Sequence, residues 1–328
     1  MNATAADPAE PTWPARAAVI GGGTMGAGIA QLLAAHGVAV AVADLTPELS
    51  AASVQGLKAS ARSFEGRGLL GAGGAERVDR LAQAAGSVAE AVTEAQFVLE
   101  AVAENPTIKR QVYAEIEASA PAEAVLATNT SAIPIRELGA ELRHQGRFLG
   151  THWFNPPQWV PCVEVIAGPK TEDRVVDRVN TLLAALGKRP VAAGDAAGFV
   201  ANRIQFAMFK EAVSCVADGV ADPEQVDEIV RSSFGHRLPF FGPFAVADMA
   251  GLDVYAGAYE ALEAEHGPRF AAPERLLKLV DSGRLGAKSG GGFLGPQEET
   301  HEQRIERRDA AYVALSELLD RREGEGEG

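Results

Sequence analysis

The sequence predicts an α/β protein with a doubly wound, mostly parallel sheet, followed by an all-helical C-terminal part. Three observations carry that expectation. Short apolar runs alternate with helical segments over the first ~195 residues, as strands and crossover helices do in a parallel sheet. A glycine turn, G-x-G-x-x-G, joins the first run to the first helix. Beyond Gly194 the strand signals vanish and only helical patterns remain.

The elements follow in order. Ala17–Ile20 is a short apolar run, and Thr24–His36 has helical spacing and stops at Gly37. Val38–Ala43 is a second buried strand that ends at Asp44. Further apolar runs lie at Phe97–Val102, Val125–Thr128, Phe148–His152 and Val163–Ile166. The stretch from Thr171 reads as a capped helix ending at Gly187, and "RPVAAGD" as a last strand. Helices are then expected over Val200–Ala217, Pro223–Ser233, Pro243–His266, Pro273–Ser282 and Glu302–Asp320, with Asp222 capping the second and Pro223 in its first turn. The expected organisation is an arm over 1–15, a dinucleotide-binding domain over 16–195, a helical domain over 196–321 and a disordered Gly/Glu-rich tail over 322–328.

With 328 residues, the chain has room for two domains. Hydrophobic residues make up 47% and charged residues 23%, enough apolar material for a sizeable core. Thirty basic against 44 acidic residues give a net charge of −14, which argues against nucleic acid or an anionic membrane as a partner. No apolar run reaches the ~18 residues a membrane helix needs. The N-terminus lacks the basic and apolar regions of a signal peptide. Cys162 and Cys215 form neither a disulfide framework nor a zinc-spaced cluster, so no metal is expected and a reducing cytoplasm fits.

The glycine turn carries the first functional expectation. Gly21 permits the tight turn, Gly23 lets the backbone approach a pyrophosphate, and Gly26 allows close helix–strand packing. Thr24 and Met25 sit in the same turn, where Met25 also reads as a packing residue. Asp44 lies 23 residues after Gly21, at a strand end, placed to accept from a ribose 2′-OH. No Arg follows it in "DLTPE" to meet a 2′-phosphate, so NAD is expected over NADP.

Ligands of such sheets sit at the carboxyl ends of strands. Polar residues cluster there in "EAVAEN", "TNTS", "THWFN" and "CVEVI". His152 and Glu164 are 12 residues apart, a spacing that suits neighbouring strands joined by a connection holding Pro156, Pro157 and Pro161. A carboxylate in an otherwise apolar strand needs a partner, and His152 is the natural one. The alternatives are a packed core histidine and an edge-strand glutamate facing solvent. Trp153, its neighbour on the strand, is expected to point to the opposite face.

Taken together, "VIGGGTMGAGIA", "EAVAENPTIKRQVYAEIE", "TNTSAIPI", "GTHWFNPP", "VEVI", "GFVANR", "GPFAVADMAGLDV" and "GAKSGGGF" resemble the 3-hydroxyacyl-CoA dehydrogenase family. The resemblance spans about residues 17–294. It implies a Rossmann-like domain and then a helical domain that forms a homodimer. It implies that His152 is the catalytic base and Glu164 its orienting carboxylate, with Ser131 and Asn202 near the substrate's 3-oxygen. On the cofactor side it implies Gly21, Gly23, Gly26, Asp44, Glu104, Lys109, Asn155 and Lys288. Coenzyme A contacts fall on Ser60 and Arg67, where arginine replaces the family's lysine. The implied reaction is NAD-dependent oxidation of a 3-hydroxyacyl thioester or the reverse reduction, the alternatives being the same chemistry on a carrier-protein-bound hydroxyacyl group, L-gulonate or a carnitine-like hydroxy acid, and a non-catalytic NAD-binding protein. The segment "HRLPFF" departs from the family, and Phe240 and Phe241 either border an acyl pocket or belong to the core.

Overall fold

The computed structural model describes residues 13–295 and 299–326. The described chain divides into two compact units, one ending at Met208 and the other starting at Phe209.

The first unit is built on an eight-stranded sheet. Its strands are β1 (Arg16–Ile20), β2 (Ala39–Ala43), β3 (Ala82–Ala84), β4 (Phe97–Glu100), β5 (Val125–Thr128), β6 (Phe148–Trp153), β7 (Cys162–Ala167) and β8 (Arg189–Ala192). The spatial order is β3-β2-β1-β4-β5-β6-β7-β8. Neighbours run parallel except β6 and β7, which are antiparallel. Strand order reverses at β1, and this is where such sheets bind ligands.

Both faces are covered, so the strands read as continuous apolar runs. Period-two alternation sorts the side chains. Ala17, Val19, Leu149, Trp153, Val163 and Val165 join one core cluster. Ala18, Ile20, Phe148 and Ile166 join the cluster on the other face, with Tyr113, Ile116 and Phe199. This parity puts Trp153 on the face opposite His152.

The edge strand β3 has no apolar run to announce it. It is Ala-Gln-Ala, made a strand by pairing with Val40–Val42. Of the expected N-terminal arm, residues 1–12 lie outside the described residues. Trp13 to Ala15 are not arm-like: Trp13 packs edge-on to Phe97 with Arg178 over its other side, and Ala15 N donates to Gln96 Oε1 at 2.6 Å. A tryptophan packed on the interior strands of a sheet buries too much apolar area to stay loose.

The second unit is helical. Pro223–Ser232 starts as expected, with Asp222 and Gln225 forming a reciprocal capping box. The single helix expected over Pro243–His266 is instead two, Pro243–Ala250 and Leu252–His266. Gly251 between them has φ +103°, which breaks helical geometry. The glycine-rich stretch near Lys288 folds against Asp248, whose buried carboxylate accepts from Phe293 N at 2.9 Å and Leu294 N at 3.0 Å. The last helix runs His301–Gly326 and so continues into the residues expected as a tail; residues 327–328 lie outside the described set.

Candidate active site

The glycine turn links β1 to the helix α1 (Thr24–Ala35). Gly21 has φ +99°, and a Cβ there would come within 2.6 Å of Ala101 O. A Cβ on Gly26 would collide with Gly21 O and approach Val19 Cγ1 to 3.2 Å. At Gly23, by contrast, a Cβ would meet nothing within 4 Å. That open approach lies at the start of a helix with no side-chain cap, so its first N–H groups are free for an anion.

Asp44 ends the neighbouring strand half-buried, with Oδ2 accepting from Gly22 N at 2.6 Å and Oδ1 from Leu45 N at 2.7 Å. The carboxylate is therefore fixed beside the turn with lone pairs to spare. A cleft of about 330 Å³ continues from the turn, lined by Gly22, Gly23, Thr24, Ser53 and Ser60. The donor set and the open glycine fit a dinucleotide. Thr24 lines that cleft, whereas Met25 packs against the core.

Ser60 and Arg67 share the helix α2 (Pro47–Gly66) and its C-cap. Ser60 Oγ accepts from the buried Gln31 Nε2 at 2.9 Å and donates to Leu57 O at 3.2 Å. Arg67 is exposed, with no ion pair among the described residues.

At the other end of the site, the β6–β7 ladder pairs His152 directly with Glu164. Both are buried, at 3% and 4% exposure, and His152 Nδ1 lies 2.7 Å from Glu164 Oε2. Glu164 Oε1 accepts from Val200 N and Ala201 N, both at 3.0 Å, at the start of the helix Ala201–Ala217. Those amides can only donate, and the carboxylate accepts at both ends. Nδ1 must then carry the proton, which leaves Nε2 of the neutral ring bare and able to take one. The rings of Phe154 and Phe199 stand 4.5 Å and 5.7 Å from the imidazole. Phe199 has φ +45° and is 1% exposed, a strained residue held by its burial beside the base.

The segment Thr128–Ala132 carries Ser131. Asn202 Nδ2 donates to Ser131 O at 2.9 Å, so these two expected substrate residues are in direct contact. Glu104 Oε1 accepts from Thr130 Oγ1 at 2.6 Å, Ser131 N at 2.8 Å and Ala132 N at 3.0 Å. Burial pushes the Glu104 carboxyl up, but Thr130, Lys109 and the two amides together outweigh it and hold it below the usual range. Lys109 is no surface residue. It is 1% exposed, and its ammonium lies 2.7 Å from Glu100 Oε1 and 3.4 Å from Glu104 Oε2.

Asn155 is exposed just past β6. Lys288 belongs to the helical unit, where its ammonium is 2.6 Å from both oxygens of Asp253. Phe241 is buried, and Tyr312 packs edge-on to it with Arg307 over the ring; Phe240 is 42% exposed. Burial and then the Glu164 charge push the Cys162 thiol up, so it stays a thiol.

Four residues had no role assigned from the sequence, although two of them lie in the strand-end clusters "EAVAEN" and "TNTS". Asn129 Oδ1 accepts from Trp153 N at 3.0 Å and fixes the end of β6. Lys188 is buried and donates to the carbonyls of Pro157, Gln158 and Val160 at 2.5, 3.3 and 3.1 Å, pinning the loop after Asn155. Asp248 and Glu100 are the other two. Their signal was an acid flanked by apolar residues, the same signal that marked Glu164.

A dinucleotide cradle at the strand-order reversal, with a histidine–carboxylate pair three strands away, defines an NAD-dependent oxidoreductase. The 3-hydroxyacyl-CoA dehydrogenase NAD binding domain matches residues 16–196, and the 3-hydroxyacyl-CoA dehydrogenase C-terminal domain matches residues 198–295. The chain belongs to the 3-hydroxyacyl-CoA dehydrogenase family. It is 35% identical to 5-formyl-3-hydroxy-2-methylpyridine 4-carboxylate 5-dehydrogenase of Mesorhizobium japonicum, covering 93% of this chain and 98% of that one. It is 36% identical to a probable 3-hydroxybutyryl-CoA dehydrogenase of Bacillus subtilis, covering 86% and 97%. A solved 3-hydroxyacyl-CoA dehydrogenase of Archaeoglobus fulgidus superposes with a TM-score of 0.73 at 28% identity, covering 92% and 99%.

Proposed function

We propose that this enzyme interconverts a 3-hydroxyacyl thioester, with coenzyme A as the carrier, and the 3-ketoacyl thioester. The observation that carries the reading is the buried His152–Glu164 pair with Nε2 left bare. When bound, NAD accepts the hydride from the substrate carbon. His152 Nε2 removes the hydroxyl proton as that hydride departs, because an alkoxide does not accumulate at neutral pH. Glu164 stabilises the imidazolium that forms, and the Val200 and Ala201 amides, donating to its other oxygen, hold the carboxylate in place. The Ser131 hydroxyl and the Asn202 amide orient the oxygen that loses its proton. Gly23 and the first turn of α1 bind the pyrophosphate, and Asp44 binds the ribose. Ser60 and Arg67 serve the coenzyme A end.

The helical unit supports a second copy as partner. Its buried apolar side chains among the described residues are Phe241, Ala247, Leu252 and Leu276, while Phe209, Val213, Val220 and Phe244 remain more than half exposed. Such a thin core gains from burying that surface in a homodimer. The pair of lone cysteines is consistent with a reducing cytoplasm; no described helix is long and apolar enough to cross a membrane.

The test is NADH consumption with acetoacetyl-CoA, longer 3-ketoacyl-CoAs and a 3-ketoacyl carrier protein, set against NAD reduction with hydroxy acids lacking a thioester. Turnover of acetoacetyl-CoA supports the reading. Activity confined to the thioester-free substrates would overturn it. The pyridine-compound dehydrogenase from Mesorhizobium japonicum, aligned over 98% of its length, favours that second outcome as the alternative.

A further inference from the structure

The carboxylate of Glu100 takes no part in the proton transfer described above. It is the last residue of β4 and is 0% exposed. We propose that Glu100 is a positioning residue that fixes the 128–132 loop, and through it Ser131. The kinetic consequence rests on the dehydrogenase reading; the structural consequence does not.

Glu100 reaches the loop by two routes. On one side, Oε2 accepts from Thr128 Oγ1 at 2.7 Å. Having given its proton away, that hydroxyl presents a lone pair to Thr130 N at 3.2 Å. On the other side, Oε1 accepts from Lys109 Nζ at 2.7 Å, and the same ammonium stands 3.4 Å from Glu104 Oε2. Glu104 in turn holds Thr130 Oγ1 and the amides of Ser131 and Ala132. Both routes converge on residues 130–132. Val102 N donates to Oε1 at 2.8 Å, and the Tyr113 hydroxyl stands 3.4 Å from Oε2 and 3.1 Å from Ala127 O, with one proton to give.

A buried ion pair is weak evidence of stabilisation, because desolvation offsets much of its attraction. What this one does provide is direction. It places a fixed acceptor under the loop whose serine faces the substrate. Glutamine in its place has one acceptor oxygen for donors on two edges, so on one edge an NH₂ group faces a donor or forces the Thr128 hydroxyl to reverse, and the charge that held both routes is gone.

Three variants of the full-length protein separate this role from general folding: Glu100→Gln, Glu100→Gln with Lys109→Met, and Thr128→Val. The double variant removes the ammonium that the single one leaves with the Glu104 carboxylate, 3.4 Å away, as its counter-charge. The third breaks one route without changing any charge. Amide hydrogen exchange is followed by mass spectrometry, NADH affinity by fluorescence titration, and kcat and KM with acetoacetyl-CoA. The amides of 130–132 are expected to exchange at least about tenfold faster while those of β1 and β5 keep their protection. In Glu100→Gln, turnover is expected to fall about 10- to 100-fold with NADH affinity within about threefold of the parent, since small misplacements are costly to rate. Thr128→Val should move the same way by less. Unchanged exchange at 130–132 in folded variants overturns the proposal, as does a loss of activity explained by NADH affinity alone. A parent enzyme silent on every 3-ketoacyl thioester would sink the dehydrogenase reading, and the exchange data would still decide the role of Glu100.

Discussion

Replacing Glu164 with glutamine exchanges one oxygen for an NH₂ group and, given the hydrogen bonds around it, inverts the histidine. The native carboxylate accepts at both ends: from His152 Nδ1 at 2.7 Å and from Val200 N and Ala201 N at 3.0 Å. A glutamine has one oxygen. If that oxygen faces the two amides, two of three hydrogen bonds survive, and the NH₂ group faces Nδ1. If it faces Nδ1, the NH₂ group meets two N–H donors in a buried site, at about 1–3 kcal/mol for each orphaned group. The first arrangement wins. Nδ1 must then accept, the ring proton moves to Nε2, and the base is capped. The charge that stabilised the imidazolium is also gone. A base in this role contributes about 10²- to 10⁴-fold, or roughly 2.7–5.5 kcal/mol of barrier. Steady-state NADH oxidation with acetoacetyl-CoA should show kcat reduced by that factor. NADH titration should show unchanged affinity, because the cradle lies on other strands. A glutamine variant turning over within about threefold of the parent would refute the tautomer argument.

Three other expectations concern separate parts of the molecule. Asp44→Asn removes the charge beside the glycine turn and should improve relative use of NADPH over NADH by about tenfold, read as the ratio of kcat/KM values. Lys188→Met leaves the carbonyls of Pro157, Gln158 and Val160 without their shared donor, and should lower unfolding free energy by about 1–3 kcal/mol in denaturant titration. Glu104 is held below its usual range when folded, so its contribution is complete above the unfolded value of about 4.3 and is lost as pH falls through the folded one. Thermal melts of Glu104→Gln and the parent should therefore converge on acidification below about pH 4 and stay apart at neutrality. A constant gap would contradict the assignment.

The parts of this protein that could be read from sequence are those governed by local rules. The glycine turn, the strand ends and the caps each follow from a residue's own backbone preferences. The His152–Glu164 pair was legible because two strands and a short proline-rich connection leave little freedom of register. The β3 edge was not, since Ala-Gln-Ala becomes a strand only through its neighbour. The break at Gly251 was hidden by apolar spacing that continues across it. The motif puts Lys109 on the cofactor side, but its burial was not legible, because it depends on β4, β5 and the helix Pro106–Ser119 closing around it. Glu100 shows the same limit. Its partners lie 2, 9, 13 and 28 residues away, a set no window along the chain brings together.

The one antiparallel junction in the sheet has a further consequence. The base and its carboxylate occupy facing rungs of the β6–β7 ladder, and only β8 separates that ladder from the sheet's end. The glycine turn lies in the opposite half, on β1. Three of the four β8 residues are exposed, so that edge of the sheet has little burial to resist opening. Fraying there would part His152 from Glu164 before it disturbed the cradle. In mild denaturant the protein should pass through a range where it still holds dinucleotide and has already stopped moving protons.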